Sequence, residues 1–142
     1  MLSTTLLIAA AATSFLVALL HVYVIVLGAP AYRRFGAGET IAAMAERGSW
    51  LPALLTSGIT TVFLVFMAYY LSGAGLVPPL PYLQWGMLGI AAIYTLRGAM
   101  VALAVATKMS AFDFYSSLVS LLVGLLHGAA LWQVWPALST AA

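Results

Sequence analysis

One arginine, Arg97, stands inside an otherwise apolar segment of the chain. A guanidinium at the centre of a membrane helix costs about 2.5 to 3.5 kcal/mol, so such residues usually face a bundle interior or a wet cavity. The carboxylates that could neutralise Arg97 are poorly placed, because Asp113 opens the next apolar run and Glu39 and Glu46 lie in a connection. Arg97 therefore either binds hydroxyls, carbonyls, water or an external anion, or extends along its stem towards the lipid headgroups.

Further polar side chains occur within the other apolar segments. Histidine can exchange protons near neutral pH, and hydroxyl groups can donate and accept hydrogen bonds. Together these side chains predict a polar column inside a helical bundle, which could bind a small anionic or amphiphilic molecule or a lipid, relay protons, or only hold the helices together. The candidate ligand-binding residues are Arg97, His21, His127, Tyr94, Thr60 and Thr61.

Two histidines on different helices also raise the question of haem b, whose usual axial ligands are imidazoles. At a rise of about 1.5 Å per residue, His21 and His127 differ in depth by about 10 Å, which argues against a shared iron. The sequence has no paired carboxylates within an apolar segment, no His-Glu metal motif and no glycine loop for phosphate. We therefore predict no cofactor, no metal and no catalytic residue, and enzymatic activity is the less favoured interpretation.

The segments that must position these residues are four long apolar runs. The chain of 142 residues is 65% hydrophobic and 6% charged, whereas a soluble domain is roughly 25% charged. Because about 20 apolar residues make one helical crossing, and hydrocarbon does not tolerate unpaired backbone groups, we predict an all-α, four-helix transmembrane bundle with up-down-up-down topology. Residues 1–142 are predicted to form a single transmembrane domain, with spans at about 5–29, 50–72, 84–106 and 112–135.

The distribution of positive charge predicts the orientation of these spans. Arg33, Arg34 and Arg47 lie between the first two spans and Lys108 lies between the last two, while the other connection and the C-terminal tail contain no Lys or Arg. By the positive-inside rule, both termini face away from the cytoplasm. The basic residues thus reflect topology, and no nucleic-acid partner is expected. We also expect the first span to be retained rather than cleaved as a signal peptide.

Helix ends and connections give further expectations. The sequence pattern of residues 39–47 predicts a short helix that lies on the membrane surface. Asp113 is interpreted as the N-terminal cap of the fourth span. The patterns Gly124-x-x-x-Gly128 and Gly86-x-x-Gly89 predict close approach between helices of one chain. A polar face suited to the bundle interior is predicted on the fourth span at Ser117, Ser120, Gly124 and His127.

Three short motifs resemble those of small four-span bacterial membrane proteins of unknown function. They are Leu19-Leu20-His21-Val22-Tyr23 through Leu27-Gly28, Tyr94-Thr95-Leu96-Arg97-Gly98, and Phe112-Asp113-Phe114-Tyr115-Ser116 followed by a glycine-containing last span. This chain has Val24 where that pattern has a tryptophan. The resemblance covers most of the chain in outline. It implies a multi-pass protein of the bacterial inner membrane, with His21, Arg97 and Asp113 as residues to test.

Three functional hypotheses follow. In the first, the protein binds or transports a small anionic or amphiphilic molecule or a lipid in the polar column centred on Arg97. In the alternative, it is a structural or accessory subunit that packs against a membrane-protein partner, or a homo-oligomer. The third is a membrane-embedded lipid-modifying enzyme, which would need His21 or His127 as general acid or base. The lipid bilayer is the expected partner in every case.

Overall fold

A computed structural model describes residues 2–103 and 110–139. All regular structure in these residues is helical, and four helices are long and apolar enough to cross a membrane. These four helices pack antiparallel, so the predicted all-α, four-helix transmembrane bundle with up-down-up-down topology is confirmed. A helix bonds its backbone groups within itself, which is the property that lets a segment cross hydrocarbon.

The helices follow one another with short connections. In chain order they are α1 (Leu2–Leu27), α2 (Ala29–Arg34), α3 (Glu39–Glu46), α4 (Leu51–Gly73), α5 (Leu83–Ala99), a 3₁₀ turn (Met100–Leu103) and α6 (Ala111–Ser139). The third span was predicted to reach residue 106. Residues 104–106, and Lys108 in the following connection, lie outside the described residues.

The chain divides into two compact units, of which one contains residues 2–13, 66–103 and 110–139. Within it α5 and α6 approach closely, because glycine replaces a side chain at two contacts. A Cβ on Gly98 would lie 2.3 Å from the backbone nitrogen of Leu121, and a Cβ on Gly124 would lie 2.7 Å from that of Thr95. The two backbones therefore come together as small residues allow in membranes.

Two of the four glycines in the predicted patterns lie at close contacts, and two do not. A Cβ on Gly86 would overlap the ring of Tyr69, so Gly86 does serve a close contact. In contrast, a Cβ on Gly89 or Gly128 would meet nothing within 4 Å. Gly98, which neither pattern included, makes the tighter of the two backbone contacts between α5 and α6.

The connection between α4 and α5 is non-helical, as its glycines and prolines predict. Ser72 in the last turn of α4 holds this connection in place. Its hydroxyl donates to the carbonyl of Pro78 at 3.1 Å and accepts a hydrogen bond from the amide of Leu80 at 3.1 Å. One buried side chain thus satisfies backbone groups that no helix would satisfy.

In the other unit, residues 14–65, the chain changes direction at the end of α1. Gly28 adopts a φ of 68°, a conformation that costs glycine little and ends the helix. Pro30 then lies in the first turn of α2, where the missing amide is not needed. The sequence placed the end of the first span at Ala29, two residues beyond the end of α1, and did not predict α2.

The predicted helix at residues 39–47 is confirmed as α3, and it packs against α2. Val24 of α1, Ala31 and Tyr32 of α2, and Ala42 of α3 form a small core. The hydroxyl of Tyr32 lies 3.2 Å from Oγ1 of Thr56, so α2 is also bonded to α4. The connection between the first two spans is therefore a packed helical hairpin.

Arg33 ties α2 to α3 through two carboxylates. Its Nη2 lies 2.9 Å from Oε1 of Glu39 and 2.6 Å from Oε2 of Glu46. The hydrogen bonds to these carboxylates raise the pKa of Arg33, and the hydrogen bonds from Arg33 lower the pKa of Glu39. All three side chains are exposed, so each pair is weak by itself. The sequence shows that these residues lie in one connection, but their ion pairs were not predicted.

Gly98→Ala should destabilise the contact between α5 and α6, because the added Cβ would overlap the backbone of Leu121. We expect the free energy of unfolding to fall by about 1–3 kcal/mol, measured by denaturant titration in mixed micelles. Gly89→Ala is the matched control on the same helix, and its open surroundings predict an effect within about 1 kcal/mol, in the stabilising direction. Equal losses in the two variants would contradict the backbone contact.

The ion pairs of Arg33 predict a pH dependence for the hairpin. The folded-state pKa of Glu39 lies below its unfolded value, so the contribution is present above the unfolded pKa of about 4.3 and is lost as pH falls through the lowered folded value. Protection factors of the α3 amides in hydrogen exchange should therefore fall as pH drops below about 4.3 and through the lowered folded pKa of Glu39. Arg33→Gln should remove this dependence, whereas Arg47→Gln should retain it. A pH profile unchanged by Arg33→Gln would refute the assignment.

Candidate functional site

Arg97 lies in the last turn of α5, and its guanidinium reaches across to α6. Nη1 donates to Oγ of Ser117 at 2.8 Å, and Nη2 donates to Oγ of Ser116 at 3.0 Å. Arg97 is exposed, and its remaining N–H donors have no partner among the described residues. The sequence placed Arg97 near the middle of its span. Within the described residues, the α-helix ends at Ala99 and the 3₁₀ turn follows, so Arg97 lies near the end of α5.

Ser116 and Ser117, which bind Arg97, lie soon after the N-terminus of α6, and a side-chain cap fixes that N-terminus. The hydroxyl of Ser110 accepts a hydrogen bond from the amide of Asp113 at 3.1 Å and donates to the Asp113 carboxylate at 2.7 Å. Ser110, rather than Asp113, is therefore the N-cap, and Asp113 supports it from the first turn, where negative charge suits the helix end. This carboxylate is bonded to Ser110, whereas Arg97 is held by the hydroxyls of Ser116 and Ser117, and hydroxyls were among the partners predicted for it.

His127 lies at the centre of what we call the His127 cluster (Tyr70, Met87, Tyr94 and His127). Its side chain is fully buried, and Nδ1 donates to the carbonyl of Val123 at 2.8 Å. The ring centroids of Tyr70 and Tyr94 lie 4.4 and 4.8 Å from that of His127. The Tyr70 hydroxyl lies 3.1 Å from the carbonyls of both Met87 and His127. The cluster thus links α4, α5 and α6 by ring contacts and hydrogen bonds.

His21, Thr60 and Thr61 belong to the unit of residues 14–65. His21 is half-buried, its Nδ1 donates to the carbonyl of Val17 at 2.7 Å, and its ring centroid lies 5.0 Å from that of Phe63. The hydroxyls of Thr60 and Thr61 each donate to the carbonyl four residues earlier, at 2.9 and 3.0 Å. These two hydroxyls bond back to their own helix, which was the alternative to a ligand-binding role.

Of the predicted site residues, the structure brings Tyr94 and His127 into direct contact. Tyr94 is buried whereas Arg97, one turn further along α5, is exposed, so the two residues do not share one environment. The predicted interior face of α6 includes Ser117, which is fully buried. Within the described residues, no group of three or more His, Asp or Glu side chains is placed to hold a metal ion.

Sequence reasoning missed two residues that the structure makes important. Ser116 contacts Arg97, and its only signal was its position beside the predicted polar face of α6. The hydroxyl of Tyr70 makes hydrogen bonds within the His127 cluster. The preceding residue, Tyr69, is also a tyrosine and lies at about the same depth, but its hydroxyl bonds elsewhere. Choosing between adjacent tyrosines requires the rotation of the helix about its axis, which a sequence pattern of this kind does not fix.

Comparisons with models of protein families, with curated proteins and with solved structures found no match. The resemblance seen in the sequence is therefore supported only by the four long apolar helices. These four spans make the chain a multi-pass membrane protein. Its function must be argued from the geometry of its own side chains.

Tyr70→Phe should weaken the bundle, because it removes the hydroxyl that bridges the carbonyls of Met87 and His127. We expect the free energy of unfolding to fall by about 0.5–1.5 kcal/mol. Tyr69→Phe is the matched control, since its exposed hydroxyl donates only to the carbonyl of Pro81, and its effect should stay within about 0.5 kcal/mol. Denaturant titration in mixed micelles measures both, and a smaller loss for Tyr70→Phe than for Tyr69→Phe would count against the bridge.

Proposed function

We propose that this multi-pass membrane protein binds an anionic amphiphile at Arg97, either a lipid or a smaller molecule that carries a phosphate or carboxylate. One observation carries the proposal. Two serine hydroxyls fix the guanidinium on an exposed surface, while its other donors have no partner among the residues that the structure describes. A guanidinium held in this way suits phosphates and carboxylates, to which it can donate paired hydrogen bonds.

The depth of Arg97 favours a ligand at the membrane boundary. Arg97 lies in the last turn of α5, and Ser116 lies in the second turn of α6, about 8 Å from the start of that helix. Anionic headgroups occupy this level, where each basic residue contributes about 1 kcal/mol to their binding. The expected ligand therefore places its charge beside Arg97 and its apolar part in the bilayer.

The His127 cluster favours binding at the surface over transport through the interior. His127 and Tyr70 are fully buried, and their side chains engage carbonyl groups of the chain. A lipid-modifying enzyme would need a general acid or base that its substrate can reach; His127 is fully buried, which leaves only the half-buried His21 for that role. The first hypothesis included both binding and transport, and the geometry supports binding better than transport.

Photocrosslinking in nanodiscs tests the proposal. An anionic phospholipid with a photoactivatable acyl chain would be placed in a zwitterionic background, and labelled peptides would be mapped by mass spectrometry. Arg97→Gln should reduce labelling of the α5 and α6 peptides around Arg97 by about fivefold or more, because it removes a cation worth about 1 kcal/mol and the donors that face the ligand. Arg97→Lys should give an intermediate value, since it keeps the charge and loses the planar donors. Arg47→Gln should leave this labelling unchanged.

The other outcomes separate the competing hypotheses. Displacement of the probe by excess inorganic phosphate or by a fatty acid would identify a smaller ligand at the same arginine. Labelling that is equal in wild type and in Arg97→Gln would contradict the proposal. Recovery of the wild-type protein with one larger membrane partner, lost in Arg97→Gln, would instead favour the accessory-subunit hypothesis.

A further inference from the structure

A second surface with binding character lies where α1 ends and α2 begins, at residues 23–35, which we call the elbow. It contains a pocket of about 270 Å³. The pocket exists because Gly28 ends α1 and lets the chain turn into α2. The residues that line it are Tyr23, Leu27, Pro30, Ala31, Arg34 and Phe35.

The lining of the elbow pocket is apolar except for one cation and one phenol. The rings of Tyr23 and Phe35 meet edge to face, with centroids 6.3 Å apart. Ala31 is 3% exposed and adds only a methyl group. Arg34 supplies the positive charge at this pocket. Such a lining suits a molecule that carries an anionic group next to a hydrocarbon chain.

The two consecutive arginines of α2 have different surroundings. Arg33 is bound by the carboxylates of Glu39 and Glu46, so its charge is neutralised within the hairpin. Arg34 is exposed and makes no hydrogen bond or ion pair with any residue that the structure describes. Its charge therefore remains for a partner outside the chain, and the pocket lies beside it.

The position of the elbow in the chain points to the partner. Leu27 is the last residue of a helix long enough to cross the membrane, so the elbow lies where hydrocarbon gives way to headgroups. The pocket is smaller than the roughly 300–1,000 Å³ of sites that enclose a whole small molecule. It therefore accommodates part of a ligand, such as a headgroup and the first methylenes of a chain.

We propose that the elbow is a binding site for an anionic phospholipid, with the phosphate at Arg34 and the upper acyl chain against Tyr23, Leu27 and Phe35. Charge complementarity selects an anionic lipid, because Arg34 is the cation that the hairpin leaves unneutralised at the pocket. This site shares no residue with the surface around Arg97 and does not rest on the function proposed for it.

The same photocrosslinking assay tests the elbow, because the labelled peptides report where the probe binds. In the wild-type protein the anionic phospholipid probe should label peptides that contain residues 23–35. Arg34→Gln should lower this labelling by about fivefold, the effect of one cation at an anionic surface, and Arg34→Lys should restore most of it. Tyr23→Ala should also lower it, since it removes one side of the pocket. Labelling around Arg97 should stay at its wild-type value in all three variants.

Arg47→Gln is the matched control, because Arg47 is an exposed arginine that ends α3 and does not line the pocket. Three results would overturn the proposal: equal labelling of the elbow by a zwitterionic probe, unchanged labelling in Arg34→Gln, or loss of labelling in excess inorganic phosphate. Arg97→Gln should leave the elbow labelled, so failure of either site is distinguishable from failure of the other.

Discussion

Hydrocarbon offers a polar group no partner, so a donor inside a membrane span must find its acceptor within the chain. Both histidines meet this requirement by donating to the carbonyl four residues earlier. Six hydroxyls on α4, α5 and α6 do the same, namely those of Thr56, Ser57, Thr60, Thr61, Thr95 and Ser120. Arg97 does not satisfy all its donors in this way within the described residues, and its side chain is exposed.

Once polar groups are satisfied within single helices, little remains to hold one helix to the next. Lipid tails are as apolar as leucine, so burying apolar side chains gives helices in a bilayer a small advantage. In the unit that contains α5 and α6, close contacts at Gly98 and Gly124 supply dispersion attraction instead. The Tyr70 hydroxyl adds a hydrogen bond whose proton is shared between carbonyls of both neighbouring helices. Specificity of packing thus rests on a few positions.

The sequence predicts the parts of this structure that depend on composition and periodicity. Hydropathy and length are enough for four antiparallel helices, and the amphipathic run from Glu39 is enough for α3. The first span was predicted to end at Ala29, two residues beyond the end of α1, but α2 was not predicted, because its six residues are too few to show a helical period. The environment of Arg97 depends on where the α-helix ends and which way it faces, and neither follows from hydropathy. Hydroxyl partners for its charge were foreseen as a class, although Ser116 was not.

In the connection between the first two spans, the ion pairs of Arg33 with Glu39 and Glu46 neutralise part of the positive charge once the hairpin has folded. The positive-inside rule counts all three arginines of this connection, and acidic residues contribute little to it. In the folded hairpin, three arginines and two glutamates leave a single positive charge in excess. The arginines that count under the positive-inside rule are therefore not the same set that carries the excess charge of the folded hairpin. The two glutamates thus lower the net positive charge of the folded hairpin without removing an arginine from the count that the positive-inside rule uses.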